Sequence, residues 1–105
     1  MEQLNYRFEG GKPLPGATTI VGVLSSGNLE VLIEPADLDN ACEIEIRTVA
    51  RGFGTIWQAV LSDFFARHRA ANIRVSINDA GATPAVVSLR LDQAMESFVR
   101  AQGKL

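Results

Sequence analysis

Two adjacent hydroxyls, Ser25 and Ser26, precede Gly27-Asn28 in the apolar run from Val21 to Pro35. A serine that acts as a nucleophile in turnover needs a base within hydrogen-bond reach. The chain of 105 residues holds one histidine, His68, and one cysteine, Cys42. His68 lies between Arg67 and Arg69 near the end of a helical pattern, where the helix C-terminus favours a charged imidazole. No spacing brings it a nucleophile, so a solvated surface role is expected. Cys42 sits on the apolar side of an alternating segment and reads as a small buried hydrophobe. One His and one Cys make no zinc set. Asp37, Asp39 and Asn40 share a loop but lack the ordered ligand spacing of a calcium loop. Gly52-Phe53-Gly54 precedes a helix without the glycine pattern or Lys-Ser/Thr of a phosphate loop, which leaves a turn and a helix start. The loop from Asn78 to Pro84 is longer than a minimal hairpin needs, and long loops often carry recognition. A hydroxyl on a hairpin tip suits modification by another enzyme better than catalysis by its own domain.

The elements that must position these residues follow from the apolar pattern. Leu4, Tyr6 and Phe8 suggest a short N-terminal strand, and the Gly/Pro cluster from Glu9 to Gly16 breaks it. Thr18–Leu24 and Leu29–Glu34 read as two strands, joined by a two-residue type II′ turn with Gly27 first and Asn28 second. Pairing in that register sets Ser26 opposite Leu29 and Ser25 opposite Glu30. Cys42, Ile44 and Ile46 alternate with Glu43, Glu45 and Arg47, which marks a strand with one wet face. Thr55 and Gln58 resemble a capping box for a helix from Thr55 to Ala71, with Ile56, Trp57, Val60, Leu61, Phe64 and Phe65 as its apolar stripe. Ile73, Val75 and Ile77 mark a further strand. Ala85–Leu91 reads as another, merging into a helix through Ala94, Met95, Phe98 and Val99, with a frayed tail after it. The order predicts an α+β domain over residues 1–105, a largely antiparallel sheet of about five strands with two helices packed on one face.

Composition narrows the function classes. With 12 acidic against 10 basic residues, the surface is not that of a nucleic-acid binder. No apolar run approaches the roughly 20 residues of a membrane span, and no signal peptide is visible. A soluble cytoplasmic protein is expected, its lone cysteine consistent with a reducing compartment.

Two stretches then resemble one family. Ser26-Gly27-Asn28-Leu29-Glu30-Val31-Leu32 is similar to the attachment motif of the delta subunit, the acyl carrier, of biotin-independent malonate decarboxylase. Ile77 to Pro84, followed by Val86 to Leu91, resembles that family's Asp-x-Gly-Ala-Thr-Pro block and the strand after it. The resemblance runs from about Thr19 to Met95 in the same order and spacing. It implies that Ser26 is joined by a phosphodiester to a phosphoribosyl-dephospho-coenzyme A arm, from 2′-(5″-triphosphoribosyl)-3′-dephospho-CoA, whose thiol carries acetyl or malonyl. It also implies the partners: a transferase (alpha) subunit, a decarboxylase (beta/gamma) pair, a prosthetic-group transferase and a malonyl transferase. The carrier itself would be non-catalytic. Asn28 stands where the family usually has Asp, Ser25 where Gly or Glu is more usual, and Ala80 where a larger residue is expected. An acyl carrier of the citrate-lyase type and an unmodified interaction domain are the rival expectations. Hairpin geometry leaves Ser25 and Ser26 equivalent; the motif selects Ser26.

Overall fold

A computed structural model describes residues 1–102; of the tail expected at 102–105, Gln102 belongs to the last helix and 103–105 lie outside the described residues. The chain forms β1 (Glu2–Phe8), β2 (Lys12–Pro13), β3 (Thr19–Gly22), β4 (Leu29–Pro35), β5 (Cys42–Thr48), α1 (Gly54–His68), β6 (Ala70–Ala71), β7 (Ile73–Asp79) and α2 (Pro84–Gln102). Five strands make the main sheet in the order β1-β5-β7-β4-β3, while β2 and β6 form a small parallel pair. Every neighbour contact in the main sheet is antiparallel except β5 with β7. Parallel strands need a crossover, and α1 supplies it. The predicted α+β architecture is therefore the observed one, with the N-terminal strand as a full edge member.

Alternation decides which face is buried. Leu29, Val31 and Ile33 of β4, Cys42, Ile44 and Ile46 of β5, and Ile73, Val75 and Ile77 of β7 are almost wholly buried. They pack with Trp57, Leu61, Phe64 and Phe65 of α1 and with Val87, Leu91, Ala94, Met95 and Phe98 of α2. The opposite face carries polar partners such as Arg7 with Glu43 at 2.5 Å and Arg74 with Glu43 at 3.5 Å. Hydrophobic burial on one side and solvation on the other fix the register, because a one-residue slip would exchange the faces.

Three expected local features differ. Ala85–Leu91 is helical, the first part of α2. Its β-branched pair Val86-Val87 and the alternation of Val87, Leu89 and Leu91 resemble a strand, but the buried positions 87, 91, 94, 95 and 98 follow a helical period. Pro84 begins the helix, and Thr83 caps it by accepting from the Val86 N–H at 3.3 Å. Next, α1 starts at Gly54 with Phe53 as N-cap and no side-chain cap bond, so Thr55 and Gln58 form no capping box. It ends at His68, because Arg69 turns left-handed (φ 50°) and donates its N–H to the Phe65 carbonyl. Ala70 and Ala71 leave the helix to pair with β2.

The third difference concerns the serines. β3 pairs with β4 as Gly22↔Glu30 and Val21↔Val31, which leaves Val23 to Asn28 outside the ladder. The expected tight hairpin, with Ser26 opposite Leu29, does not form. Gly22 (φ +98°) turns the chain out of the sheet, and its bare Cα passes where any Cβ would sit 2.2 Å from the Leu29 carbonyl oxygen.

Candidate functional site

Once out of the sheet, Ser25 to Asn28 fold into a β-turn closed by the Asn28 N–H donating to the Ser25 carbonyl at 2.9 Å. Gly27 has φ +74°, so it holds the second central position, where a type II turn requires a left-handed residue. That corrects the type II′ expectation, which put glycine first. Ser26 becomes the first central residue, the corner of the turn, and is exposed. A Cβ added at Gly27 would meet nothing within 4 Å, so the space beside Ser26 is open.

The turn is held by β7 rather than by β3. The Gly27 N–H donates to the Ala80 carbonyl at 2.9 Å, and the Ala80 N–H donates to the Asn28 carbonyl at 2.9 Å. These two bonds carry the β4–β7 ladder one step past Leu29↔Asp79. The Asn28 side chain adds a local lock, its Oδ1 accepting from the Leu29 N–H at 2.8 Å. An amide can do this as a carboxylate would, so Asn28 keeps the geometry without the charge. The two motif stretches, about fifty residues apart in sequence, are thus one bonded unit.

Below them lies Asp79, only 4% exposed, with both carboxylate oxygens engaged. Oδ2 accepts from the Thr48 hydroxyl at 2.8 Å and Oδ1 from the Ala82 N–H at 2.9 Å. Asp79 therefore shapes the loop from beneath, and Thr83 is occupied in capping α2. Thr48 was not singled out from sequence, although a signal existed. Thr48 and Asp79 fall on the inward positions of their two alternating strands, and a buried hydroxyl beside a buried carboxylate calls for a mutual bond.

The same end of the sheet gathers exposed apolar side chains: Val23 and Leu24 before the serines, Val49 after β5, and Phe53 and Ile56 at the start of α1. Between the first turns of the two helices and the Asp79–Pro84 loop is a pocket of about 200 Å³, lined mainly by apolar groups including Trp57, Val60 and Val87. The remaining reactive side chains stand at the other end. Cys42 opens β5 there, and burial followed by the charge of Glu43 pushes its thiol up to about 12. His68 closes α1, which over 15 residues spans about 22 Å from the serine end. It is half-buried rather than solvated, its Nε2 2.8 Å from Asp92 Oδ1 and its ring against Phe64. Among the described residues, His68 and Cys42 both stand at the end of the domain remote from Ser26.

The family model of the acyl-carrier malonate decarboxylase delta subunit (MdcD) matches residues 16–98. The chain belongs to this family. It is 59% identical over 104 residues to the malonate decarboxylase acyl carrier protein of Stenotrophomonas maltophilia (strain K279a), covering 97% of this chain and 98% of that one. It is 61% identical over 98 residues to the protein of the same name from Xanthomonas euvesicatoria pv. vesicatoria (strain 85-10), covering 91% and 93%. Its fold is similar to a chain in the crystal structure of a Pseudomonas malonate decarboxylase hetero-tetramer in complex with malonate. The TM-score there is 0.82 at 36% identity, over 91% of this chain and 97% of that one. The family match includes both the serine turn and the Gly-Ala-Thr-Pro loop, the two pieces that the fold bonds together.

Proposed function

We propose that this chain is the acyl carrier of a malonate decarboxylase complex, and that Ser26 is the anchor of a phosphoribosyl-dephospho-coenzyme A arm. The observation that carries the assignment is the position of Ser26 at the open corner of a turn fixed on both flanks by Ala80. Ser25 instead opens the turn, its carbonyl accepting from the Asn28 N–H and its N–H donating back to the Val23 carbonyl at 3.0 Å. Attachment would form the Ser26 Oγ–P bond as the triphosphate loses diphosphate. The serine proton would pass to a base on the prosthetic-group transferase, His68 of this chain being at the far end of α1. When bound, the arm supplies a thiol that holds acetyl or malonyl as a thioester.

The chain's own contribution is placement. A fixed turn presents the anchor, and tethering keeps the acyl group at high effective concentration for each partner site. The partners of this proposal are a transferase (alpha) subunit that exchanges acetate for malonate, a decarboxylase (beta/gamma) pair that releases CO2, and a malonyl transferase that loads the carrier. A coenzyme A-derived precursor implies the cytoplasm as the compartment. No helix among the described residues is long and apolar enough to cross a membrane.

Intact mass after co-expression with the prosthetic-group transferase tests the assignment. The arm's mass should appear on the native chain and on Ser25→Ala, and vanish from Ser26→Ala with little change in melting temperature. A chain that stays unmodified in a host making the precursor overturns the carrier reading in favour of an unmodified interaction domain.

A further inference from the structure

The pocket beside the Gly-Ala-Thr-Pro loop has no part in anchoring Ser26. It is about 200 Å³ and open on one side. Phe53, Ile56, Trp57 and Val60 from the start of α1 face Ala82 and Val87 across it. Phe53 and Ile56 are 46% and 44% exposed, so its rim is apolar surface left in water. Its floor is one residue along the chain from Ala80, which bonds directly to the serine turn.

We propose that this pocket is a resting site for the acetyl thioester end of the carrier's own arm, a reading that rests on the anchor assignment to Ser26. Size agrees: an S-acetyl-cysteamine end has seven non-hydrogen atoms, and a cavity of this volume accommodates a group of that scale without an enclosing lid. Chemistry agrees as well. The walls are hydrocarbon, and the single ionisable side chain lining them is Asp79, whose oxygens are already bonded to Thr48 and Ala82. An acetyl group brings only a weakly polar thioester carbonyl and no charge, so its desolvation costs far less than that of a carboxylate. A malonyl group would bring a carboxylate out of water and towards another carboxylate, which is unfavourable on both counts. The pocket therefore discriminates between the two loads, sheltering the product-side acyl group and leaving the substrate-side one in solution. A millimolar effective concentration set against the millimolar affinity of so small a ligand keeps acetyl inside about half the time.

The test uses the full-length carrier, loaded with acetyl or malonyl and checked by intact mass. Methyl resonances of Ile56, Val60 and Val87 should shift between the apo and acetyl forms, with contacts from a labelled acetyl methyl to the Trp57 ring. The malonyl form should match apo. Filling the pocket with Ala82→Leu should speed spontaneous hydrolysis of the acetyl thioester about twofold and leave the malonyl thioester unchanged. Ala50→Leu, also in the pocket lining, is the second filling variant should the first lower the melting temperature. A loaded carrier whose pocket resonances ignore the acetyl group, or respond equally to malonyl, overturns this inference while leaving the anchor intact. A chain that never acquires the arm overturns both.

Discussion

At the scale of single residues, the serine turn depends more on its glycines than on its hydroxyls. Gly22 leaves the sheet at φ +98° with the Leu29 carbonyl directly over its Cα, so any side chain meets both an unfavourable dihedral and backbone. Gly22→Ala should destabilise the fold by about 2–3 kcal/mol. In a chain of 105 residues that is a fall in melting temperature on the order of 10 °C, measurable by thermal unfolding. From sequence, Gly22 looks like an incidental strand glycine between Val21 and Val23, and the apolar Val23-Leu24 pair extends the apparent strand to the serines. What the local pattern lacked was the competitor. Ala80, just past β7 and far away in sequence, bonds the Gly27 N–H and the Asn28 carbonyl and so holds the turn to the central strand instead of to β3. The motif is what selects Ser26 as the proposed anchor; its corner position could not be read from sequence, because it depends on this non-local ladder.

Elements explain where the remaining expectations held or failed. β5 and β7 announce themselves through alternation, since one wet and one buried face leave a period of two in the sequence. The start of α2 does not, because Val86 and Val87 have strand preferences that tertiary burial overrides. The better signals there were Thr83 and Pro84, a cap followed by a first-turn proline. The two helices are also clasped to each other at the end remote from Ser26. Asp92 of α2 accepts from Arg67 and His68 of α1. Partial burial raises the Asp92 carboxyl, but its bonds to His68 and Arg67 outweigh this and hold it below the ordinary carboxylate value. A carboxyl depressed on folding stabilises above its unfolded pKa, and that contribution is lost as pH falls through the folded value. Asp92→Asn should therefore melt slightly lower than the native chain at pH 6. The gap, small because the three side chains are partly open to solvent, should close towards pH 2. A gap independent of pH would mean that Asp92 acts through packing alone.

The whole molecule can be interrogated through Cys42. Its side chain is wholly buried under the helices, and its thiol is raised to about 12, so it should ignore a disulfide reagent until the domain unfolds. The labelling rate then reads global opening, and the native chain should label many times more slowly than the same chain in denaturant. A thiol raised on folding contributes nothing to a pH slope while both states are protonated. Above the unfolded value of about 9 the unfolded chain ionises first, so stability should fall as pH rises towards 12. Cys42→Ala should remove that alkaline slope, which denaturant melts at pH 8 and pH 10.5 would show.

The bonds from Ala80 to both flanks of the serine turn also set how the proposed load travels. A corner welded to the central sheet cannot lean towards one partner or another, so the protein adds no stroke of its own. On the proposed assignment, the reach of the acyl group would be the contour length of the arm, measured from a pivot fixed within this domain.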